Sequence, residues 1–256
     1  MIIAVDIGNT NIVIGAIEDG NVTKTARLHT DDMATEAEYG IKFTELFSFM
    51  KIDVAQIEGT AVASSVPQVL QPICSSLEKI TGRRPLVVAA GIKTGLNIKI
   101  DDPATLGADL LVGGVAAVEY YGCPSIVLDM GTATTIFAVD KNKNFIGGEI
   151  MTGVKLGLTA LAGGTSLLPD ISVSAPKRVI STNTVDCMRS GAVYASASMI
   201  DGMLRRFEAE LGYKCNIIAT GGIARLVVPF CERGDIILDD ELLLKGLWVL
   251  YKKNLK

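Results

Sequence analysis

Residues 2–7 form an apolar run broken only by Asp6, and the run ends in Gly8-Asn9-Thr10-Asn11. A second apolar run over residues 12–17 leads to Glu18-Asp19-Gly20-Asn21, a hairpin signal, and residues 22–28 then alternate with a period of two. The pattern predicts an antiparallel meander. Residues 36–50 place Tyr39, Phe43, Leu46, Phe47 and Met50 on one side of a helix. A strand over 60–63, a helix over 68–80 behind Pro67 and a strand over 86–89 follow. A helix from about Pro103 to Tyr121 closes this half, proline being suited to a first helical turn.

The second half opens in the same way. Residues 125–130 read as a buried strand, Gly131-Thr132-Ala133-Thr134 as a turn, 135–139 as a strand, Lys141-Asn142-Lys143-Asn144 as a turn back and 145–151 as a third strand. A long helix over 184–211, a strand over 216–219, a Gly-rich turn Thr220-Gly221-Gly222 and a last helix near 240–252 complete the chain. Val5-Asp6-Ile7-Gly8-Asn9-Thr10-Asn11 aligns with Leu128-Asp129-Met130-Gly131-Thr132-Ala133-Thr134, and both copies occupy the tip of the first hairpin of a meander. Repetition of context as well as of letters predicts a duplicated α/β unit facing itself across a cleft, with domains over 1–118 and 119–256.

Composition narrows the function classes. The chain has 256 residues, 49% hydrophobic and 20% charged, which supports a large core and excludes wholesale disorder. A net charge of -4 without a long basic run gives no electrostatic footprint for nucleic acid. The single histidine, His29, sits in a polar stretch without a partner and is expected to be a solvated loop residue, so histidine-based triads and zinc sites have little to stand on. Five widely spaced cysteines without a CxxC pair read as reduced, mostly buried thiols. The N-terminus lacks a basic region before its apolar run, and the longest uncharged stretch, 59–77, carries prolines, glutamines and serines. A soluble cytoplasmic protein without membrane contact is therefore expected.

Each hairpin offers an acid at a strand end, a glycine in a tight turn and small hydroxyl or amide residues beyond it. Gly8 and Gly131 admit close approach of a ligand, and the following N–H groups can form a nest for phosphate oxygens. Asp6 and Asp129 supply negative charge for a cation that neutralises those phosphates. Two such clips suit a nucleoside triphosphate, and Thr220-Gly221-Gly222 suits close approach by the nucleoside. Phosphoryl transfer also needs a group to accept the acceptor's proton. Asp109, in Leu106-Gly107-Ala108-Asp109-Leu110, is an acid among apolar neighbours near a helix start. It is either such a base or a first-turn acid favoured by the helix dipole.

With these segments placed, the chain resembles the type III pantothenate kinases, of the acetate and sugar kinase/actin/heat-shock-chaperone superfamily. The resemblance rests on Asp6-Ile7-Gly8-Asn9-Thr10-Asn11, on Asp102-Pro103 leading to Gly107-Ala108-Asp109, and on Asp129 to Thr135. It continues through Gly147-Gly148-Glu149-Ile150, Asn183-Thr184-Val185 and Ala219-Thr220-Gly221-Gly222. It implies duplicated ribonuclease H-like (actin-like ATPase) domains and ATP-dependent phosphorylation of pantothenate, the first step towards coenzyme A. It further implies Asp109 as general base, and ATP held by Asp6, Ile7, Gly8, Asn9, Thr10, Asn11, Ile12, Val13 and Thr132, with Gly221 and Gly222 at the nucleoside. Asp6 would lie near Mg2+ and Asp129 would hold a monovalent cation, K+ or NH4+. A homodimer is implied, with pantothenate bound near its interface by Ile100, Gly107, Ala108, Asp109, Leu110 and Thr184.

Three positions depart from the family pattern: Leu110 stands where Arg is usual, Ile100 where Tyr is usual, and Thr152 where Pro is usual. A charge-assisted bond to the acceptor carboxylate is worth about 1.5–3 kcal/mol, so its loss predicts roughly 10–100-fold weaker pantothenate binding unless Lys93, Lys99 or Lys155 substitutes. Two other readings follow: a nucleotide-binding protein with altered acceptor or lost turnover in a regulatory role, and a phosphohydrolase directing water at the γ-phosphate.

Overall fold

A computed structural model describes residues 1–255. The chain forms two compact units: one comprises Met1–Leu96, Ile100–Tyr120 and the C-terminal segment from Glu241, and the other Asn97–Lys99 and Tyr121–Asp240.

In the first unit, β1 (Ile2–Ile7), β2 (Asn11–Glu18) and β3 (Asn21–His29) form the antiparallel meander. Its outer turn places Asp19 and Gly20 at φ 50° and 86°, the left-handed pair that a tight two-residue hairpin requires. After α1 (Glu36–Phe49), β4 (Gly59–Ser64) lies parallel to β1, and α2 (Pro67–Thr81) leads to β5 (Leu86–Val87). The five-stranded sheet has the order β3-β2-β1-β4-β5. Its core is the face carrying Ile3, Val5, Ile7 and Val62, covered by Tyr39, Phe43 and Phe47 of α1 and Val69, Ile73 and Leu77 of α2. Thr35 and Glu38 close a reciprocal cap on α1, with Thr35 N–H donating to Glu38 Oε2 at 2.7 Å. His29 is solvated but pairs with Asn11 as the last residue of β3, so it is a strand residue and not a loop residue.

The helix expected over 103–121 begins later. Asp102 caps a separate 3-10 turn over Pro103–Thr105, and α3 proper spans Ala108–Tyr121. Proline sets the first turn of the short element, and Gly107 separates it from the long one. Only residues 86–87 of the 86–89 run pair as a strand.

The second unit repeats the plan. β7 (Ser125–Met130), β8 (Ala133–Val139) and β9 (Asn144–Thr152) form an antiparallel meander, and β10 (Asn216–Thr220) runs parallel to β7. β11 (Ile236–Leu238) pairs with β10, and a two-residue strand β6 (Asn97–Ile98) pairs with β9. The order β11-β10-β7-β8-β9-β6 is the first unit's order with one strand added at the edge. Ile126, Leu128, Met130, Ile136 and Ala138 form its core face, covered by Ala197, Ile200 and Leu204.

Several elements escaped the periodicity. α4 (Val154–Gly163) buries only Val154 and Leu158 and carries Gly157 between them, so its helical stripe is faint. α7 (Ala224–Val227), β6 and β11 are too short to show a period. The long helix is interrupted: α5 (Thr184–Ser190) passes through one π turn, Gly191–Ala195, into α6 (Ser196–Leu211). Such turns are rare and frequently lie at functional sites. The last helix, α8 (Leu242–Asn254), packs on β1, β2, β3 and β4 of the first unit. Gly15 makes room for Leu244, and Gly246 lets α8 rest on the backbone of Val112 in α3. The first sheet is thus covered on both faces.

Candidate active site

Alternation along β1 puts Ile3, Val5 and Ile7 into the core beneath α1 and α2, so Asp6 projects from the opposite face, the one covered by α8. The same rule in β7 puts Leu128 and Met130 in the core and Asp129 on the other face. Each acid is the penultimate residue of a central strand, is half-buried, and lies just ahead of a turn of small residues.

The first turn is held from behind. Gly8 N–H donates to Asn11 O at 3.0 Å, and Thr30 ties it down by donating Oγ1–H to Gly8 O at 2.6 Å and N–H to Thr10 O at 3.1 Å. Ser65 N–H donates to Ile7 O at 2.9 Å. Four carbonyls, those of Ile7, Gly8, Thr10 and Asn11, are thereby occupied within the unit, while Asn9, Thr10 and Asn11 stay exposed. Ile12 and Val13 lie in β2, Ile12 fully buried and Val13 paired with Asp6 in the ladder. They shape the site from below.

The second turn is held by two glycine passages. A β-carbon on Gly221, where φ is +94°, would lie 2.6 Å from both Asp129 Oδ1 and the backbone of Met130. The Thr220-Gly221-Gly222 turn therefore runs directly against Asp129, an adjacency the separation in sequence gives no hint of. A β-carbon on Gly153 would overlap the carbonyl oxygens of Thr132 and Gly131. Sequence reasoning missed Gly153; its one signal is a glycine placed directly after the third strand of the meander.

Across the ladder from Asp129 stands Thr135, whose Oγ1 is buried without a hydrogen-bond partner. Buried hydroxyls are rarely left so, and an orphaned oxygen beside a carboxylate fits an oxygen-seeking cation. Among the described residues no group of three or more His, Cys, Asp or Glu gathers into a metal site. A cation here would thus draw the rest of its shell from backbone, hydroxyl and phosphate oxygens.

Asp109 is half-buried in the first turn of α3, ahead of the buried stretch Leu111–Ala117. Its Oδ1 accepts the N–H of Leu110 at 2.9 Å. A β-carbon on Gly107 would sit 2.5 Å from that same oxygen, so the carboxylate occupies space that only glycine leaves open. Ala108 and Leu110 flank it, both half-buried, as is Ile100. Thr184 stands exposed in the second unit at the first position of α5, which Asn183 caps by accepting Asp186 N–H at 2.9 Å.

Four of the five cysteines are half-buried and none is bridged among the described residues. Burial pushes the thiols of Cys74 and Cys215 up to about 11 and that of Cys231 up to about 12, which favours their protonated form near neutrality.

The chain is similar to known proteins over nearly its whole length. The family model described as type III pantothenate kinase matches residues 2–206. A type III pantothenate kinase from Halalkalibacterium halodurans is 41% identical over 99% of this chain and 100% of its own length. One from Moorella thermoacetica is 37% identical over 99% and 100%. Among solved structures, (R)-2-hydroxyglutaryl-CoA dehydratase component A from Acidaminococcus fermentans matches with a TM-score of 0.58 at 14% identity, covering 98% of each chain. A ROK family glucokinase from Streptomyces griseus, in complex with glucose and AMPPNP, matches with a TM-score of 0.57 at 12% identity, covering 97% of this chain and 98% of its own. At such identities these two show the fold alone, the duplicated ribonuclease H-like architecture of actin-like ATPases and sugar kinases.

Proposed function

The chain is a member of the type III pantothenate kinase family, and on that premise we propose how its residues divide the phosphorylation of pantothenate. The reaction transfers the γ-phosphoryl group of ATP to the primary hydroxyl of pantothenate, giving 4'-phosphopantothenate and opening coenzyme A synthesis. Asp109 accepts the hydroxyl proton as the oxygen attacks phosphorus and the bond to ADP breaks. The observation that carries this assignment is the carboxylate seated over Gly107, held by one N–H and aimed by the start of a buried helix.

The turn over Gly8–Asn11, with Asp6, Ile7, Ile12 and Val13, binds and orients one part of the triphosphate, and Thr132 in the matching turn contacts another. Gly221 and Gly222 bring backbone close to the nucleoside. Asp6 would hold Mg2+; Asp129 with the orphaned Thr135 hydroxyl would hold K+ or NH4+. When bound, these cations neutralise phosphate charge that develops during transfer. Gly107, Ala108, Leu110, Ile100 and Thr184 shape the acceptor pocket.

A homodimer is part of this reading. The second unit exposes Ile150, Leu156, Leu161, Leu167 at 91%, Val179 and Ile180 at 82% in the stretch that leads to Thr184. Apolar surface of this kind suits a second copy, which would bring Thr184 to the acceptor of the opposite protomer. Unbridged thiols and the need for ATP suit the cytoplasm, and no helix among the described residues is long and apolar enough to cross a membrane.

A coupled ADP-release assay tests the base. Asp109→Asn is expected to lower kcat by about 10²–10⁴-fold while leaving ATP affinity within a factor of about two. Full activity in that variant, or lost ATP binding, would overturn the assignment.

A further inference from the structure

We propose that Thr30, which directly follows β3, is a positioning residue for nucleotide binding: its hydroxyl sets the direction of the backbone N–H at Asn9. The inference rests on the reading of the Gly8–Asn11 turn as a clip for the triphosphate. Thr30 is only 7% exposed, so it acts through the turn and not on the nucleotide itself. Its Oγ1–H donates to Gly8 O at 2.6 Å, and its N–H donates to Thr10 O at 3.1 Å. The peptide joining Gly8 to Asn9 is trans. In a trans peptide the carbonyl and the following N–H point in opposite directions. Drawing the Gly8 carbonyl onto Thr30 therefore turns the Asn9 N–H outwards, to the side where Asn9, Thr10 and Asn11 are exposed. Without that hold Gly8, lacking a β-carbon, lets the peptide turn either way. Donors already aimed at an arriving anion need no reorganisation to receive it.

The hold is itself braced from the core. Tyr39 of α1 fixes the backbone of the next residue, Asp31, at both its polar atoms. The Asp31 N–H donates to Tyr39 Oη at 3.1 Å, and Tyr39 Oη–H donates to Asp31 O at 2.8 Å. Tyr39 is fully buried, and its ring lies against that of Phe43 with centroids 6.2 Å apart. A strut thus runs from the packed core of the first unit through residue 31 to Thr30 and ends on the Gly8 carbonyl. The N–H of residue 30 belongs to the backbone, and every residue except proline would supply it. The hydroxyl is what this side chain adds.

Steady-state ADP release and AMPPNP binding are measured on the full-length protein with Mg2+ and K+. Thr30→Val keeps the shape of the side chain and the backbone N–H but removes the hydroxyl. It is expected to raise KM for ATP and Kd for AMPPNP about tenfold, while KM for pantothenate stays within about twofold. Thr30→Ala, which also avoids pressing a methyl on the Gly8 carbonyl, should show the same split. Thr30→Ser should bring both nucleotide constants back to within about threefold of wild type. Wild-type nucleotide constants in Thr30→Val and Thr30→Ala, an equal rise in KM for both substrates, or a Thr30→Ser protein as weak as Thr30→Val overturns the inference. Asn9→Asp, which puts a negative charge on the exposed turn, reads the clip itself and should weaken AMPPNP by about tenfold or more. With that loss present, a failure of the Thr30 variants removes only the role of Thr30. An Asn9→Asp protein that binds AMPPNP like wild type overturns the reading of the turn as the clip, and the inference with it.

Discussion

A β-carbon at residue 107 would press on Oδ1 of Asp109, and the far end of a rotatable side chain can give way cheaply. Gly107→Ala is therefore expected to leave the melting temperature within about two degrees while moving the base off its seat. Loss of orientation of this sort costs of the order of 10²-fold in rate. Steady-state kinetics beside a thermal melt checks the split, and a change in stability with unchanged kcat would contradict it. Thr60 poses the opposite case. It is fully buried on the core face of β4, and its Oγ1 has no hydrogen-bond partner. Thr60→Val replaces an unsatisfied hydroxyl by a methyl of similar size and is expected to stabilise by about 1 kcal/mol in denaturant unfolding. Glu149 pairs with Ile136 on the core face of β9, its Oε1 is buried and unpartnered, and burial raises its carboxyl above the usual 4.5. A raised acid contributes stability that is fully present below the unfolded value and is lost as pH rises through the folded one. Glu149→Gln is thus expected to remove that decline, which thermal melts of both proteins at pH 4 and pH 8 would reveal.

Elements in this fold are fixed at their ends by side chains that the hydrophobic pattern does not weigh. Arg233 donates to Glu208 Oε2 at 2.7 Å and to Asp235 Oδ2 at 2.6 Å, pinning the end of α6 to the turn before β11. Burial alone would raise the Glu208 carboxyl, but bonds from Arg233, Lys214 and the Cys215 N–H outweigh it and hold it low. The stability it contributes is present above its unfolded value and is lost as pH falls through the depressed one. With the Glu208 and Arg233 side chains only 6% and 13% exposed, Arg233→Ala leaves a buried carboxylate to Lys214 and the Cys215 N–H alone and should cost about 2 kcal/mol at neutral pH, read by urea unfolding. The meanders, α1 and α2 were legible because their apolar positions keep a period and their turns carry Asp-Gly or proline. α4 and β11 were not, since the first has a thin buried stripe and the second is held mainly by its neighbour β10. The 103–121 stretch was legible as helical but not as two pieces. The break depends on Asp102 capping its own turn and on the carboxylate of Asp109 lying over Gly107.

On the scale of the whole molecule the duplication governs both units: each sheet sets its acid on the face away from its main core, with a turn of small residues beyond. The proposed dimer adds a test at this scale. Leu167→Asp and Ile180→Asp, both on highly exposed apolar positions, are expected to convert a dimer into monomers in analytical ultracentrifugation. Pantothenate turnover should fall with it, because Thr184 would no longer reach its acceptor. By itself the sequence determined the repeat, the period of most strands and helices, and the residue types at each turn, because these depend on neighbours a few positions apart. Tertiary structure alone decided that α8 returns to cover the first sheet, that Gly221 runs against Asp129 and Gly153 against Thr132, and that Thr135 keeps an unpaired hydroxyl beside the carboxylate. Most of those contacts join residues far apart in the chain, and whether two backbones can touch, or a hydroxyl such as that of Thr135 finds a partner, depends on the space left between packed elements, which no local pattern encodes.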